Sequence, residues 1–468
     1  MNISSEQLLL ASKVFTSEDQ EAFAEFSGDF NPIHMDAVFA RRTISGQCVV
    51  HGIHGLMWAL ESLMLKTKLS PSSIEVTFSK PIFLGEELNC FYDKKTNQLI
   101  VNKGSLILFE ISLKFDSIVH PSSHDLKVRK PLKFPVDRDV NDLEILQSQE
   151  FFYRGDQNLA FKLFPNISEK YCKNVCCELA SISEIIGMHA PGLHSLLLSA
   201  KIDFQISKEV PNFAIKDLHK KFKLLTIAIN TSSLACQISA LLPQKPANGP
   251  LIIDLKEKVH NSEFKNIKAL IIGGSRGLGE STAKLIAAGS GESVITYSSG
   301  YSDCNKVSKE INDSRERCSI AKLRLPNDIE ALAELGEFNQ VYYFPTPKIF
   351  GKRSLDYDHE LYANFHEIYV DSFKKLINHF NKQSIKTSIF YPSTVAIDNP
   401  LPELSEYIDA KIAGENLCKE CHRLKNLSIH ISRIPRTKTD QSISLLQTES
   451  ENPEQVMLPI IRDMLLSI

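Results

Sequence analysis

The chain has 468 residues, 43% hydrophobic and 23% charged, with a formal net charge of −3. That length suits about three domains, each able to bury a core, and that charge gives no general basic field, so neither nucleic acid nor a membrane surface is expected as a partner. No apolar run reaches the roughly eighteen residues of a membrane span, and the polar opening Met1-Asn2-Ile3-Ser4-Ser5-Glu6 lacks the basic and apolar regions of a secretion signal, so a cytoplasmic protein is expected.

The first motif is Phe26-Ser27-Gly28-Asp29-Phe30-Asn31-Pro32-Ile33-His34-Met35-Asp36, which sets a carboxylate and an imidazole five residues apart on a loop stiffened by Asn-Pro. Alone, such a loop is ordinary turn chemistry. Here Phe39-Ala40 follows, and then Val49-Val50-His51-Gly52 stands at the head of the apolar run Ile53 to Leu65, which predicts a buried helix. Together these residues resemble the MaoC-like, R-specific enoyl-CoA hydratase family. The resemblance implies a hotdog fold, in which a curved antiparallel sheet wraps a long helix, and the exchange of water between 3-hydroxyacyl and 2-enoyl thioesters. By motif position Asp29 and His34 would share the catalytic water as base and acid. Gly52 would offer its N–H, at a helix N-terminus, to the thioester oxygen that gains charge.

Segments Ile74 to Phe78, Leu99 to Val101 and Leu106 to Phe115 read as strands of the same unit. The polar stretch from His120-Pro121-Ser122-Ser123-His124 to Lys130-Pro131 ends it, giving a first domain over residues 1–130. Residues 131–245 repeat the order: an apolar stretch over 179–200, then strands at Lys201 to Phe204, Leu224 to Ile229 and Ala235 to Leu242. They hold no Asp-x-Asn-Pro-x-His, so a second, degenerate hotdog-like unit is expected, pairing with the first as an internal pseudo-dimer and shaping the acyl or pantetheine tunnel. His189 and His194, around Ala190-Pro191-Gly192, read as packed or solvated side chains of a helix-entry loop.

Three prolines within Leu242 to Pro250 mark a linker, and a third domain follows over residues 246–468. Lys268-Ala269-Leu270-Ile271-Ile272 reads as a buried strand entering Gly273-Gly274-Ser275-Arg276-Gly277-Leu278-Gly279 and then a helix, the context of a dinucleotide fingerprint. Gly273 permits the tight turn, Gly277 the approach of a pyrophosphate and Gly279 the packing of helix on strand. Downstream, Ser393 follows an apolar strand, and Tyr407 and Lys411 lie one helical turn apart. The set resembles the short-chain dehydrogenase/reductase superfamily across residues 265–468. It implies that Ser393 positions a carbonyl, that Tyr407 exchanges the proton, and that Lys411 lowers the tyrosine pKa and holds the nicotinamide ribose. Ser275, Leu278 and the three glycines, with Tyr407 and Lys411, would hold the cofactor. The chain departs from the pattern at Ile272, Tyr343-Phe344-Pro345-Thr346, Ile368-Tyr369-Val370-Asp371-Ser372 and Pro435-Arg436.

No acid follows the second strand at Val294-Ile295-Thr296-Tyr297-Ser298-Ser299, while Arg276 is placed for a 2′-phosphate, so NADP(H) is expected over NAD(H). Cys418-Lys419-Glu420-Cys421 is an isolated Cys-x-x-Cys on a helix, so reduced thiols and no metal site are expected. The fold class expected is an α+β tandem hotdog followed by an α/β, Rossmann-like doubly wound parallel sheet, in a homo-oligomer. Because a 3-hydroxyacyl thioester is common to both reactions, the expected function is a bifunctional R-specific dehydratase and 3-ketoacyl thioester reductase acting on acyl-CoA or acyl carrier protein. The rivals are a hydratase with an inactive NADP(H)-binding scaffold, a non-enzymatic acyl-thioester binding module, and a hotdog thioesterase.

Overall fold

The computed structural model describes residues 7–116, 132–151, 156–208, 210–245, 248–349, 356–421, 424–442 and 449–466. The expected boundary from His120 to Pro131 lies outside them. The chain divides into two compact units, Met1–Lys245 and Pro246–Ile468.

The first unit is one ten-stranded sheet. Its strands are β1 (Gln7–Val14), β2 (Ser73–Phe78), β3 (Glu87–Asp93), β4 (Gln98–Lys103), β5 (Leu106–Lys114), β6 (Gln149–Glu150), β7 (Leu196–Phe204), β8 (Asn212–His219), β9 (Leu224–Asn230) and β10 (Leu234–Leu241). The order β1-β3-β4-β5-β2-β7-β10-β9-β8-β6 reads as one five-strand half followed by its mirror. The halves meet where β2 pairs antiparallel with β7, centred on Glu75 opposite Lys201. This seam satisfies the edge that a single hotdog leaves bare. The tandem hotdog expected from the repeated element order is therefore present.

Helix α1 (Ser17–Ser27) opens with a capping box between Thr16 and Asp19 and closes at Gly28, whose φ of 84° places it in the left-handed region. Helix α2 (Gly52–Thr67) buries Ile53, Leu56, Met57, Leu60, Leu63 and Met64 against the sheet, each worth about 2 kcal/mol of apolar burial. Its counterpart α3 (Lys173–Glu184) continues into one π turn, Ile185–His189. The apolar stretch over 179–200 is thus helix, π turn, a loop at Pro191 and the start of β7 rather than one element, because Gly187 and Pro191 interrupt helical hydrogen bonding. One core joins both halves, from Phe15, Phe23 and Leu60 to Val175, Ile182 and Ile238.

The second unit holds β11 (Lys268–Ile272), β12 (Glu292–Tyr297), β13 (Arg317–Lys322), β14 (Gln340–Tyr343), β15 (Thr387–Thr394) and β16 (Leu427–Ile434). Their order is β13-β12-β11-β14-β15-β16, all parallel. This is the Rossmann-like doubly wound order, with its switch point between β11 and β14. Alternation drives the layering: Ala269 and Ile271 pack in one core and Leu270 and Ile272 in another. Helix α4 (Gly277–Ala288) follows the switch-point turn, and α5 (Ser405–Glu420) carries Tyr407 and Lys411. Among the described residues no helix is long and apolar enough to cross a membrane.

Candidate functional site

In the first unit each residue of the Asp-x-Asn-Pro-x-His loop has a local task. Gly28 ends α1, Ser27 Oγ accepts from Asp29 N at 3.1 Å, and Asn31 caps the short helix Pro32–Met35 by accepting from Ile33 N at 3.1 Å. Asp29 thereby turns inward, 1% exposed, with Oδ2 3.9 Å from His34 Nε2. His34 Nδ1 faces the Val49 carbonyl at 2.7 Å, which places its proton there and leaves Nε2 toward Asp29. His51 stacks on His34 at 3.8 Å between ring centres. Gln20 donates from Nε2 to the carbonyls of His34 and Val49, so its Oε1 faces His51 Nδ1 at 3.1 Å, while His51 Nε2 lies 3.0 Å from the Asp29 carbonyl.

Burial raises the Asp29 pKa, a trend that His34, Ser183 and the Asn31 N–H oppose and Glu184 reinforces. Burial likewise lowers His34 and His51. A water making hydrogen bonds of about 2.8 Å to both would fit the 3.9 Å gap between Asp29 and His34 at roughly a right angle. Asp29, His34 and His51 also bring ligand atoms within 4.8 Å of one another. Metal bonds of about 2.1 Å would open the Asp29–His34 angle to roughly 140°, far from tetrahedral, so the geometry suits water better than an ion.

Gly52 begins α2 just beyond this pair. His51 caps the helix with no side-chain hydrogen bond, so the first-turn amides of α2 receive none from their cap. A Cβ on Gly52 would lie 3.2 Å from Leu197 and 3.4 Å from Phe78, on either side of the β2/β7 seam.

The second half reaches the Asp29 loop directly. Ser183 Oγ donates to Asp29 Oδ2 at 2.7 Å, and Asn31 Nδ2 donates to the Gly187 carbonyl at 2.7 Å. A Cβ on Gly187 would stand 2.4 Å from Asp29 Oδ1. Glu184 is buried, with Oε1 3.8 Å from His189 Nε2. Ser183 and Gly187 were invisible to motif reading; the one available signal was a glycine inside an apolar helical run.

In the second unit the glycine turn fits a dinucleotide phosphate. Gly273 and Gly277 have φ of 80° and 59°, and a Cβ on Gly279 would lie 2.3 Å from the Gly273 carbonyl oxygen. Arg276 caps α4 without a side-chain hydrogen bond to the helix, and Ser275 and Leu278 are half-buried in the turn. The Arg276 guanidinium, expected to await a 2′-phosphate, instead pairs with buried Asp440, Nη1 to Oδ2 at 2.9 Å.

Tyr407 and Lys411 are both buried on α5. Lys411 Nζ donates to the Pro392 carbonyl at 2.7 Å and lies 3.8 Å from the centre of the Tyr369 ring. Burial pushes Lys411 down to about 7 and Tyr407 up to about 12. The expected lowering of the tyrosine by its lysine is thus reversed here: desolvation dominates, and the ammonium sits 5.9 Å from the Tyr407 ring centre. The hydroxyl also differs from expectation. Ser393 Oγ donates to Glu415 Oε1 at 2.5 Å, a carboxylate that Arg433 grips through Nε and Nη2, both at 2.9 Å. The neighbouring Thr394, where β15 ends, supplies the hydroxyl that opposes the rise in the Tyr407 pKa. Tyr369, within the π turn Glu367–Ser372, bonds Thr346 through its hydroxyl.

Residues 3–106 match the family model of the MaoC like domain. The (R)-specific enoyl-CoA hydratase of Aeromonas caviae is 38% identical over 82 residues, 16% of this chain and 60% of that protein. The mitochondrial 3-hydroxyacyl-(acyl-carrier-protein) dehydratase of Arabidopsis thaliana is 34% identical over 88 residues, 17% of this chain and 49% of that protein. The chain therefore spans about half to three fifths of the length of these relatives. Among solved structures, a short chain dehydrogenase from Burkholderia cenocepacia in complex with NADP is 17% identical, with a TM-score of 0.38, covering 43% of this chain and 91% of that one. The first hotdog half is thus MaoC-like, and the second unit's Rossmann-like fold stands on its own strand order.

Proposed function

We propose that the chain is a bifunctional acyl-thioester enzyme: an R-specific 3-hydroxyacyl dehydratase, run in reverse as an enoyl hydratase, joined to an NADPH-dependent 3-ketoacyl thioester reductase. The observation that carries the first activity is Asp29 Oδ2 held 3.9 Å from His34 Nε2 beside the uncapped N-terminus of α2. In dehydration one of the pair takes the C2 proton while the other returns a proton to the leaving C3 hydroxyl, and water departs. The Gly52 amide meets the charge on the thioester oxygen. A CoA or acyl carrier protein thioester is the proposed substrate, since the similar proteins are named for such compounds.

For the second activity, NADP(H) would supply or accept the hydride, Tyr407 the proton at the carbonyl oxygen, and Thr394 rather than Ser393 the hydroxyl beside it. A second reading, a hydratase with an NADP(H)-binding unit that no longer reduces ketones, is favoured by Lys411 bonded to Pro392 and Ser393 bonded to Glu415. The test is to assay crotonyl-CoA hydration and NADPH-dependent acetoacetyl-CoA reduction in wild type, Asp29→Asn and Tyr407→Phe. Each substitution is expected to remove one activity, by roughly 10²-fold or more, and spare the other. Absence of reduction in wild type establishes the second reading, and loss of both activities from either substitution contradicts separate sites.

A further inference from the structure

The chain after β16 is fixed against the glycine turn. Thr439 Cγ2 lies 3.3 Å from where a Cβ on Gly277 would stand, and Asp440 Oδ2 holds Arg276 Nη1 at 2.9 Å. The segment is stapled in place: Ser442 Oγ accepts from Thr439 N at 3.0 Å, Arg436 Nη2 donates to the Ser442 carbonyl at 2.6 Å, and Lys438 N donates to the Glu451 carbonyl at 2.8 Å. Asp440 is 6% exposed, so its carboxylate meets Arg276 in a poorly hydrated place where an ion pair is weakly screened. Arg276 is also the residue that opens α4, the helix whose N-terminus the phosphates of a dinucleotide would face.

We propose that Asp440 is an internal counter-ion that competes with the cofactor 2′-phosphate for Arg276, and so sets how strongly the second unit distinguishes NADPH from NADH. The inference rests on the reading of that unit as an NADP(H) site. A guanidinium can serve a carboxylate or a phosphate with the same donors. Binding NADPH through Arg276 therefore costs the existing pair, while NADH, which has no 2′-phosphate, leaves the pair in place. Removing the Asp440 charge removes that competitor and benefits NADPH alone. A plain repulsion between Asp440 and the diphosphate would benefit both cofactors equally.

The experiment is a fluorescence titration of the full chain with NADPH and with NADH, for wild type, Asp440→Asn, Arg276→Met and the double variant, each checked for an unchanged melting transition. Asp440→Asn is expected to lower the Kd for NADPH about tenfold and to change that for NADH less than about threefold. In the Arg276→Met background the same substitution is expected to change neither. Equal tightening of both cofactors, an unchanged NADPH Kd in Asp440→Asn, or an effect that survives Arg276→Met overturns the inference while leaving the cofactor reading in place. Failure of NADPH to bind either wild type or Asp440→Asn overturns the cofactor reading, and the inference with it.

Discussion

Asp29, the proposed partner of His34 in the water step, also carries a cost in stability. Burial lifts its folded pKa above the ordinary aspartate value of 3.8, so the native state holds the proton more tightly than the unfolded chain. Stability from this group is present at low pH and is lost as pH rises through the folded pKa. Asp29→Asn, which keeps the shape without the charge, is therefore expected to raise Tm by about 2–5 °C at neutral pH while abolishing hydration, the gain shrinking as pH falls toward 4. Calorimetry across that range checks the sign, and a lower Tm at neutral pH would show that the carboxylate stabilises the fold. The motif made Asp29, His34 and Gly52 legible, because turn residues, a cap and a helix start are local features. The pair Ser393-Thr394 was not resolved in the same way, since only the end of β15 decides which hydroxyl meets Tyr407. Thr394→Val is expected to slow ketone reduction roughly tenfold with little change in Tm. Ser393→Ala removes a hydrogen bond to buried Glu415 and is expected to cost about 1–3 kcal/mol of stability instead; a denaturant titration beside the assay separates the two.

At the scale of elements, the π turn after α3 turns the second hotdog half into a partner in the site. Ser183 stands 154 residues from Asp29 in the chain, and no local pattern announces a contact at that separation. The Ser183 hydrogen bond opposes the rise in the Asp29 pKa. Ser183→Ala should therefore move the acidic limb of the hydration pH profile to higher pH and slow the reaction roughly tenfold at neutral pH. A fall in rate with no movement of the limb would mean that Ser183 only packs. The order helix, then strands, was readable twice in the chain. Strands β1, β3, β6 and β8 and the pairing of β2 with β7 were not, because an alternating pattern states which face is buried and not which strand lies alongside.

For the whole molecule, both units gain stability as pH rises, but in different windows. Burial beside the stacked Phe23 ring holds His54 near 3 instead of 6.5, and His34 and His51 are lowered in the same direction. A histidine kept neutral in the fold contributes stability above its unfolded pKa that is lost as pH falls below it; for His54 this amounts to about 2 kcal/mol between pH 6.5 and pH 5. Lys411, lowered to about 7, makes the second unit gain stability as pH rises from 7 toward 10. Thermal unfolding of the full chain should show the first unit's transition falling on acidification and the second unit's rising in mild alkali. Composition and charge excluded nucleic acid and membrane as expected partners, and the proline-rich stretch near residue 246 coincides with the division between units. Charge pairing across the fold, such as Arg276 with Asp440, could not be read, because the partners lie 164 residues apart.

The proposed addition of water to one face of an enoyl thioester by Asp29 and His34 is measured by incubating the full chain with crotonyl-CoA and resolving the 3-hydroxybutyryl product by configuration, with Asp29→Asn alongside. The expected result is the R product from wild type and none from the variant. The S product, or hydration that persists in Asp29→Asn, would overturn the assignment of this pair.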